Sequence, residues 1–61
     1  MNILSYHVFD GHQWLDGDEH SWTSDFQSSA HFRDPRLAQH VGEREGGTER
    51  TIFVMACLGW Q

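Results

Sequence analysis

The chain contains no lysine, one proline and one cysteine among its 61 residues, and its longest apolar run is Ile52 to Leu58. Each scarcity excludes something. A lone Cys57 cannot close an internal disulfide, which removes the small secreted scaffolds held together by cystines. It lies in the apolar run, where a free cysteine behaves as a small buried hydrophobe. That run falls well short of the roughly 20 residues a bilayer-crossing helix needs. Because the first residues form neither a basic segment nor a long apolar one, no signal peptide is expected, and the expected location is cytoplasmic. With lysine absent, all four cations are arginines: Arg33, Arg36, Arg44 and Arg50. Together with a single asparagine, Asn2, this points to a GC-rich coding sequence.

What is present suits one small folded domain spanning residues 1–61. The composition is 38% hydrophobic and 13% aromatic, too rich in large side chains for a disordered tail. A chain of this size buries only about 60% of the surface its unfolded form exposes, which leaves little core for a deep cleft. The formal net charge is −5, and it is unevenly placed. Residues 1–32 carry Asp10, Asp16, Asp18, Glu19 and Asp25 without a single Lys or Arg, whereas the later half balances four acids against four arginines. Such a field attracts cationic surfaces and repels phosphate, so direct binding to nucleic acid or anionic lipid is not expected. The same acidity also serves plain solubility.

Along the chain, Asn2 to Phe9 alternates as a strand does, with Leu4, Tyr6 and Val8 on one face and Ile3, Ser5, His7 and Phe9 on the other. Asp10-Gly11 reads as a two-residue type I′ turn, which would set Phe9 opposite His12 and His7 opposite Trp14 in a second strand, His12 to Leu15. Ser21 to Arg33 alternates again, with Trp22, Phe26, Ala30 and Phe32 at even positions and polar residues at odd ones. A third strand is therefore predicted over a competing helix, whose sign is the Ser24–Gln27 capping box. Asp34-Pro35 marks a helix start, carrying Leu37, Ala38 and Val41 on one side, with Gly42 a candidate stop. Beyond it two readings stay open. Gly46-Gly47 can turn a hairpin that pairs Arg44 with Glu49 and Glu43 with Arg50, or the helix can run to Glu45 with the glycines as a connector. Thr51 to Leu58 is apolar on both faces and reads as a central strand, covered on both sides. The expected fold is α+β: a small antiparallel sheet of three to four strands with one short helix. Ordering costs about 1.5 kcal/mol per residue, so a domain this small sits near balance, and a homodimer would bury more aromatic surface.

Candidate chemistry is sparse. In the proposed hairpin His7 and His12 share a face at a diagonal separation of roughly 7–8 Å, which suits two zinc ligands with Asp16 or His20 completing the set. Surface histidines explain the same residues more simply. Asp16-Gly17-Asp18 fails the calcium-loop pattern, since the glycine falls second rather than sixth. Asp10, His12 and Ser21 contain the residue types of a catalytic triad but no oxyanion hole. Gly46-Gly47 lacks the lysine and spacing of a phosphate loop, and the arginines sit beside acids, so no basic patch forms. No enzyme, metal or cofactor is expected. Trp14, Trp22 and Trp60 are expected mainly in the core, although tryptophan is also favoured at binding hot spots.

The function that fits is a small acidic binding protein whose carboxylates imitate nucleic-acid phosphates and occupy a basic surface of a protein partner. In size and charge it is similar to inhibitors carried by phages and mobile elements against restriction and CRISPR systems; no motif identifies a family. The partner-binding residues would be Asp10, Asp16, Asp18, Glu19 and Asp25, with Trp14 as an anchor. The alternatives are a structural or self-associating subunit, joined through the apolar last strand, and a His/Asp metal-binding protein.

Overall fold

A computed structural model describes residues 2–60, with side-chain surroundings described for residues 4–58. Four strands form one antiparallel sheet: β1 (Asn2–Phe9), β2 (Trp14–Leu15), β3 (Trp22–Thr23) and β4 (Phe53–Trp60). Their spatial order is β3-β2-β1-β4. A single helix, α1 (Pro35–Gly46), packs against β1 and β4, and a 3₁₀ turn, Phe26–Ser28, lies between β3 and α1. The α+β class predicted from the sequence is the observed one.

Strand β1 forms where alternation predicts it, and β4 pairs with it over the whole strand, from Asn2 opposite Trp60 to Phe9 opposite Phe53. The hairpin differs from expectation. Phe9 faces Trp14, not His12, because Asp10 to Gln13 form a longer loop closed by the Asp10 N–H donating to the Gln13 carbonyl at 3.0 Å. The physical reason is the Asp10 carboxylate. It accepts the backbone N–H groups of His12 (2.8 Å) and Gln13 (2.6 Å), leaving Gly11 at φ 95° as the left-handed residue. The slip is by two residues, so Trp14 and Leu15 keep their predicted faces while His12 and Gln13 leave the strand for the loop.

Two larger expectations are overturned. The first concerns Ser21 to Arg33, of which only Trp22–Thr23 is strand. Asp25 accepts from the Gln27 N–H and caps the 3₁₀ turn, and the extra curvature swaps the alternation. Trp22, Ala30 and Phe32 pack with the main core, whereas Phe26 stacks on the opposite side of the sheet. Ser29 and Phe32 then rejoin the sheet as isolated bridges to Asp16 and Tyr6. The second is β4, which lies at an edge instead of the centre. Its uniformly apolar sequence matches a doubly covered strand, but β1 and the short β2 are the strands with neighbours on both sides.

The helix starts at Asp34-Pro35 as predicted, the Asp34 carboxylate accepting the Arg36 N–H at 2.9 Å. It does not stop at Gly42; it runs to Gly46 and ends at Gly47, whose φ of 59° lets its N–H reach the Glu43 carbonyl. That outcome removes the Gly46-Gly47 hairpin and its cross-strand charge pairs. Gly42 sits inside α1 because nothing larger fits. A Cβ there would fall 2.8 Å from both Val8 Cγ1 and Ile52 Cγ2. At Gly46 the added atom would meet the flexible end of Ile52 at 2.7 Å. The core beneath consists of Val8, Leu15, Ala30, Phe32, Ala38 and Val41, flanked by Tyr6, Trp22, Ile52 and Val54.

This contrast gives a paired prediction. Gly42→Ala is expected to destabilise by about 1–3 kcal/mol through overpacking against Val8, outweighing a helix-propensity gain of about 1 kcal/mol. Gly46→Ala is expected near neutral, because the half-buried Ile52 side chain can rotate away. Urea midpoints of the two variants measure the difference.

Candidate functional site

Two regions outside the main core gather polar or charged side chains. The first is a layer on the sheet face opposite α1. His7 lies there at 1% exposure, and both of its ring nitrogens are bonded. Nδ1 is 2.8 Å from Ser29 Oγ, and Nε2 is 2.8 Å from Ser5 Oγ. The Ser29 hydroxyl donates its one proton to the Phe26 carbonyl at 2.6 Å. Ser29 must therefore accept from His7, which fixes the proton on Nδ1, and the Ser5 hydroxyl then donates to Nε2. The run Ser5 to His7 to Ser29 to Phe26 is a single polarised chain around a neutral imidazole. Phe26 and Trp14 close over it, with ring centroids 4.7 and 6.1 Å from that of His7, and Phe9 stacks on Trp14 at 4.4 Å. His31 stands edge-on to His7 at 4.6 Å and is exposed.

Burial lowers the His7 pKa from its ordinary value, and the neighbouring His31 lowers it further. The network explains why neutrality matters. A protonated Nε2 would turn from acceptor to donor and lose the Ser5 proton it now receives.

The second region is the acidic flank formed by the β2–β3 loop and the 3₁₀ turn. Asp16, Asp18 and Glu19 occupy the loop, and Asp25 caps the turn. The two pieces are tied together, since Gly17 N–H donates to the Ser28 carbonyl at 2.8 Å and Ser28 Oγ donates to Asp25 at 3.0 Å. The Asp18 carboxylate organises the loop by accepting from the N–H groups of His20 and Ser21 and from the Ser21 hydroxyl, each at 2.8 Å. These donors, led by the Ser21 and His20 amides, hold the Asp18 pKa down at about 2, so it stays ionised well into acid. Glu19 takes a left-handed φ of 64°, a strained conformation for a non-glycine residue that the surrounding bonds enforce.

The remaining predicted residues fall elsewhere. Asp10 is not a surface carboxylate; it is almost fully buried and ion-paired to Arg50, whose guanidinium also lies 4.4 Å over the Trp22 ring. Burial alone would raise the Asp10 pKa, but the Gln13 and His12 amides and Arg50 lower it below the usual value. Trp14 is half-buried in the aromatic layer and not a free anchor. The pairing of His7 with His12 does not form, because His12 is exposed in the longer hairpin loop while His7 is enclosed. His20 faces Glu45 at 3.3 Å instead. Hydrogen bonds first from Arg44 and then from His20 lower the Glu45 pKa. Among the described residues no cluster of three or more His, Cys, Asp or Glu side chains is arranged to hold a metal ion. Cys57 is half-buried on β4 rather than enclosed, and Trp60 lies outside the residues whose side chains are described. The contribution of Ser5 and Ser29 was missed from sequence; the only sign was a serine run at Ser28-Ser29 near aromatics.

The chain matches no protein-family model, and neither the curated proteins nor the solved structures include one similar to it. Among the described residues no helix is long and apolar enough to cross a membrane.

The buried histidine carries a pH prediction. Unfolded, His7 titrates near about 6.5; folded, its pKa is lower. Below pH 6.5 the unfolded chain therefore binds more protons than the folded one at this site, and stability falls with falling pH until the folded pKa is passed. Urea midpoints measured from pH 7.5 down to 5 are expected to decline. In His7→Leu, itself less stable by about 1–2 kcal/mol from the disrupted hydroxyl pairing, the slope is expected to flatten.

Proposed function

We propose that this chain is a small non-catalytic binding protein that sets its acidic flank on the basic, nucleic-acid-binding surface of a partner protein. The mode resembles that of the small inhibitors which phages and mobile elements direct against restriction and CRISPR systems. One observation carries the reading. Asp16, Asp18, Glu19 and Asp25 share one locally tied flank, and among the described residues none of them is ion-paired with an arginine. Meanwhile Arg36, Arg44 and Arg50 are each neutralised by an acid elsewhere: Asp34, Glu45 and Asp10. The formal charge of −5 is thus expressed mainly at this flank. Carboxylates carried on a bonded loop suit a groove built for phosphates, because the backbone that presents them is already ordered before docking.

The test uses charge reversal at the two carboxylates that hold the loop least: Asp16 accepts one long bond, from the Asp18 N–H at 3.4 Å, and the Glu19 carboxylate makes no bond among the described residues. Asp16→Lys with Glu19→Lys is expected to abolish capture of partner proteins from lysate at low salt, and raised salt is expected to release them from the wild-type chain. Capture that ignores both changes would end the electrostatic reading.

A second reading is favoured by a separate observation, the open edge of β4. We propose that the chain also associates with its own copy through this strand. Phe53 to Trp60 contains no charged residue and has β1 on one side only. Native edges are normally shielded by charge, proline, a bulge or shortness, and this one has none of those shields. Sedimentation equilibrium at about 0.1 mM chain is expected to give twice the chain mass; a monomer there excludes a micromolar dissociation constant.

A further inference from the structure

The self-association reading leaves open how two copies would meet, and the backbone of β1 constrains the answer. Tyr6 exchanges both of its hydrogen bonds with Phe32, at 2.7 and 2.9 Å, so its N–H and C=O point away from β4. In an antiparallel ladder successive residues direct these groups to opposite sides. Ser5, His7 and Phe9 therefore bond β4, at Cys57, Met55 and Phe53. It follows that Val54, Ala56 and Leu58 aim their N–H and C=O groups outward, away from β1.

Side chains add a second constraint. Val54, Ala56 and Leu58 share a face with their opposite residues Val8, Tyr6 and Leu4, and this is the face on which α1 packs. The helix covers one end, where Gly42 presses on Val8 and Ile52. It leaves the other end bare: Leu58 is 71% exposed and its neighbour Leu4 46%. On the opposite face Phe53 and Met55 are 49% and 42% exposed.

Resting on the self-association reading, we infer that two copies pair antiparallel along β4 about a two-fold axis at Ala56, making one continuous eight-stranded sheet. In this register Val54 lies opposite Leu58 of the second copy and Ala56 lies opposite itself. Every outward N–H and C=O of these residues then meets its counterpart in a hydrogen-bonded pair. The bare Leu58 of each copy lands beside the helix-covered Val54 end of the other. A two-fold interface must be complementary to itself. This edge meets that demand because one chain supplies both the uncovered leucine and the roofed end it needs. On the reverse face Met55 packs beside Cys57 of the second copy. The uncharged strand brings no like charges together, and the acidic flank is held on the far side of the sheet, beyond β2.

Disulfide trapping distinguishes this register from others. Residues in a hydrogen-bonded antiparallel pair have Cα atoms about 5.5 Å apart, within disulfide reach. A Cys57→Ser, Ala56→Cys variant is expected to convert to a covalent dimer under mild oxidation. Wild-type Cys57, offset by two residues from its copy and so about 8 Å away between Cα atoms, is expected to cross-link poorly. Ala56→Pro removes an outward N–H without touching the β1–β4 ladder, and is expected to give a monomer with unchanged circular dichroism. A dimer that cross-links through Cys57 but not through the Ala56→Cys variant, or that survives Ala56→Pro, would overturn this register while leaving self-association standing. A wild-type chain that stays monomeric at about 0.1 mM would overturn both.

Discussion

Strand β1 has neighbours along both edges and is enclosed on both faces at His7 and Val8, and β2, β4 and α1 all pack against it. On one face Val8 is wholly enclosed beneath Gly42 of α1. On the other, one residue away, His7 is enclosed under Phe26 and Trp14. Its two edges hold β4 along its full length and, on the other side, Trp14 and Phe32. A domain of 61 residues has too little apolar material to surround a second strand in this way. The main core accordingly stays small, and part of the second layer is built from a histidine and two serines.

That layer illustrates a general cost. A buried imidazole stabilises nothing unless both nitrogens are satisfied, and a partly satisfied network is worse than an apolar one. Here the bonds close through Ser5, Ser29 and the Phe26 carbonyl, and among the described residues no buried side-chain nitrogen or oxygen is left without a partner. The same economy governs Asp10 and Arg50. Forty positions apart, they tie the β1–β2 hairpin to the segment entering β4, with the guanidinium carbon 4.4 Å from the Trp22 ring centroid. The ion pair neutralises one carboxylate and one arginine together, which concentrates the unbalanced charge at the β2–β3 flank.

How much of this could be read in advance depends on the range of the cause. The β1 alternation and the Asp34-Pro35 start are local, and both formed as read. The faces of Phe9 and Trp14 survived a wrong turn assignment, because a slip of two residues preserves parity. Phe26 did not survive, since Asp25 can cap a turn as easily as sit on a strand's polar face, and only the folded context chooses. Strand β4 was legible as a strand but not as an edge. Hydrophobicity on both faces records how apolar a strand is, whereas its place in the sheet depends on which neighbours pair with it. The enclosure of His7 was invisible for a similar reason, because its partner Ser29 lies 22 residues away in a run that reads as polar surface. In the acidic flank Asp16, Asp18, Glu19 and Asp25 were legible as charges, yet the neutralisation of Asp10 by Arg50 was not.

The sheet order has a last consequence for how the two proposed surfaces relate. Strands β3 and β2 carry the acidic loop at one side of β1, and the open edge of β4 lies at the other. Neither surface obstructs the other, so association through β4 leaves the carboxylates exposed. With strands spaced by about 4.8 Å, an eight-stranded sheet would set its two acidic loops roughly 30 Å apart at opposite ends. Two linked loops engage a repeating or two-fold basic surface more tightly than one, because the second contact forms at high effective concentration. Pairing through an edge too apolar to stay exposed would therefore strengthen an attraction that the carboxylates alone make weakly in salt.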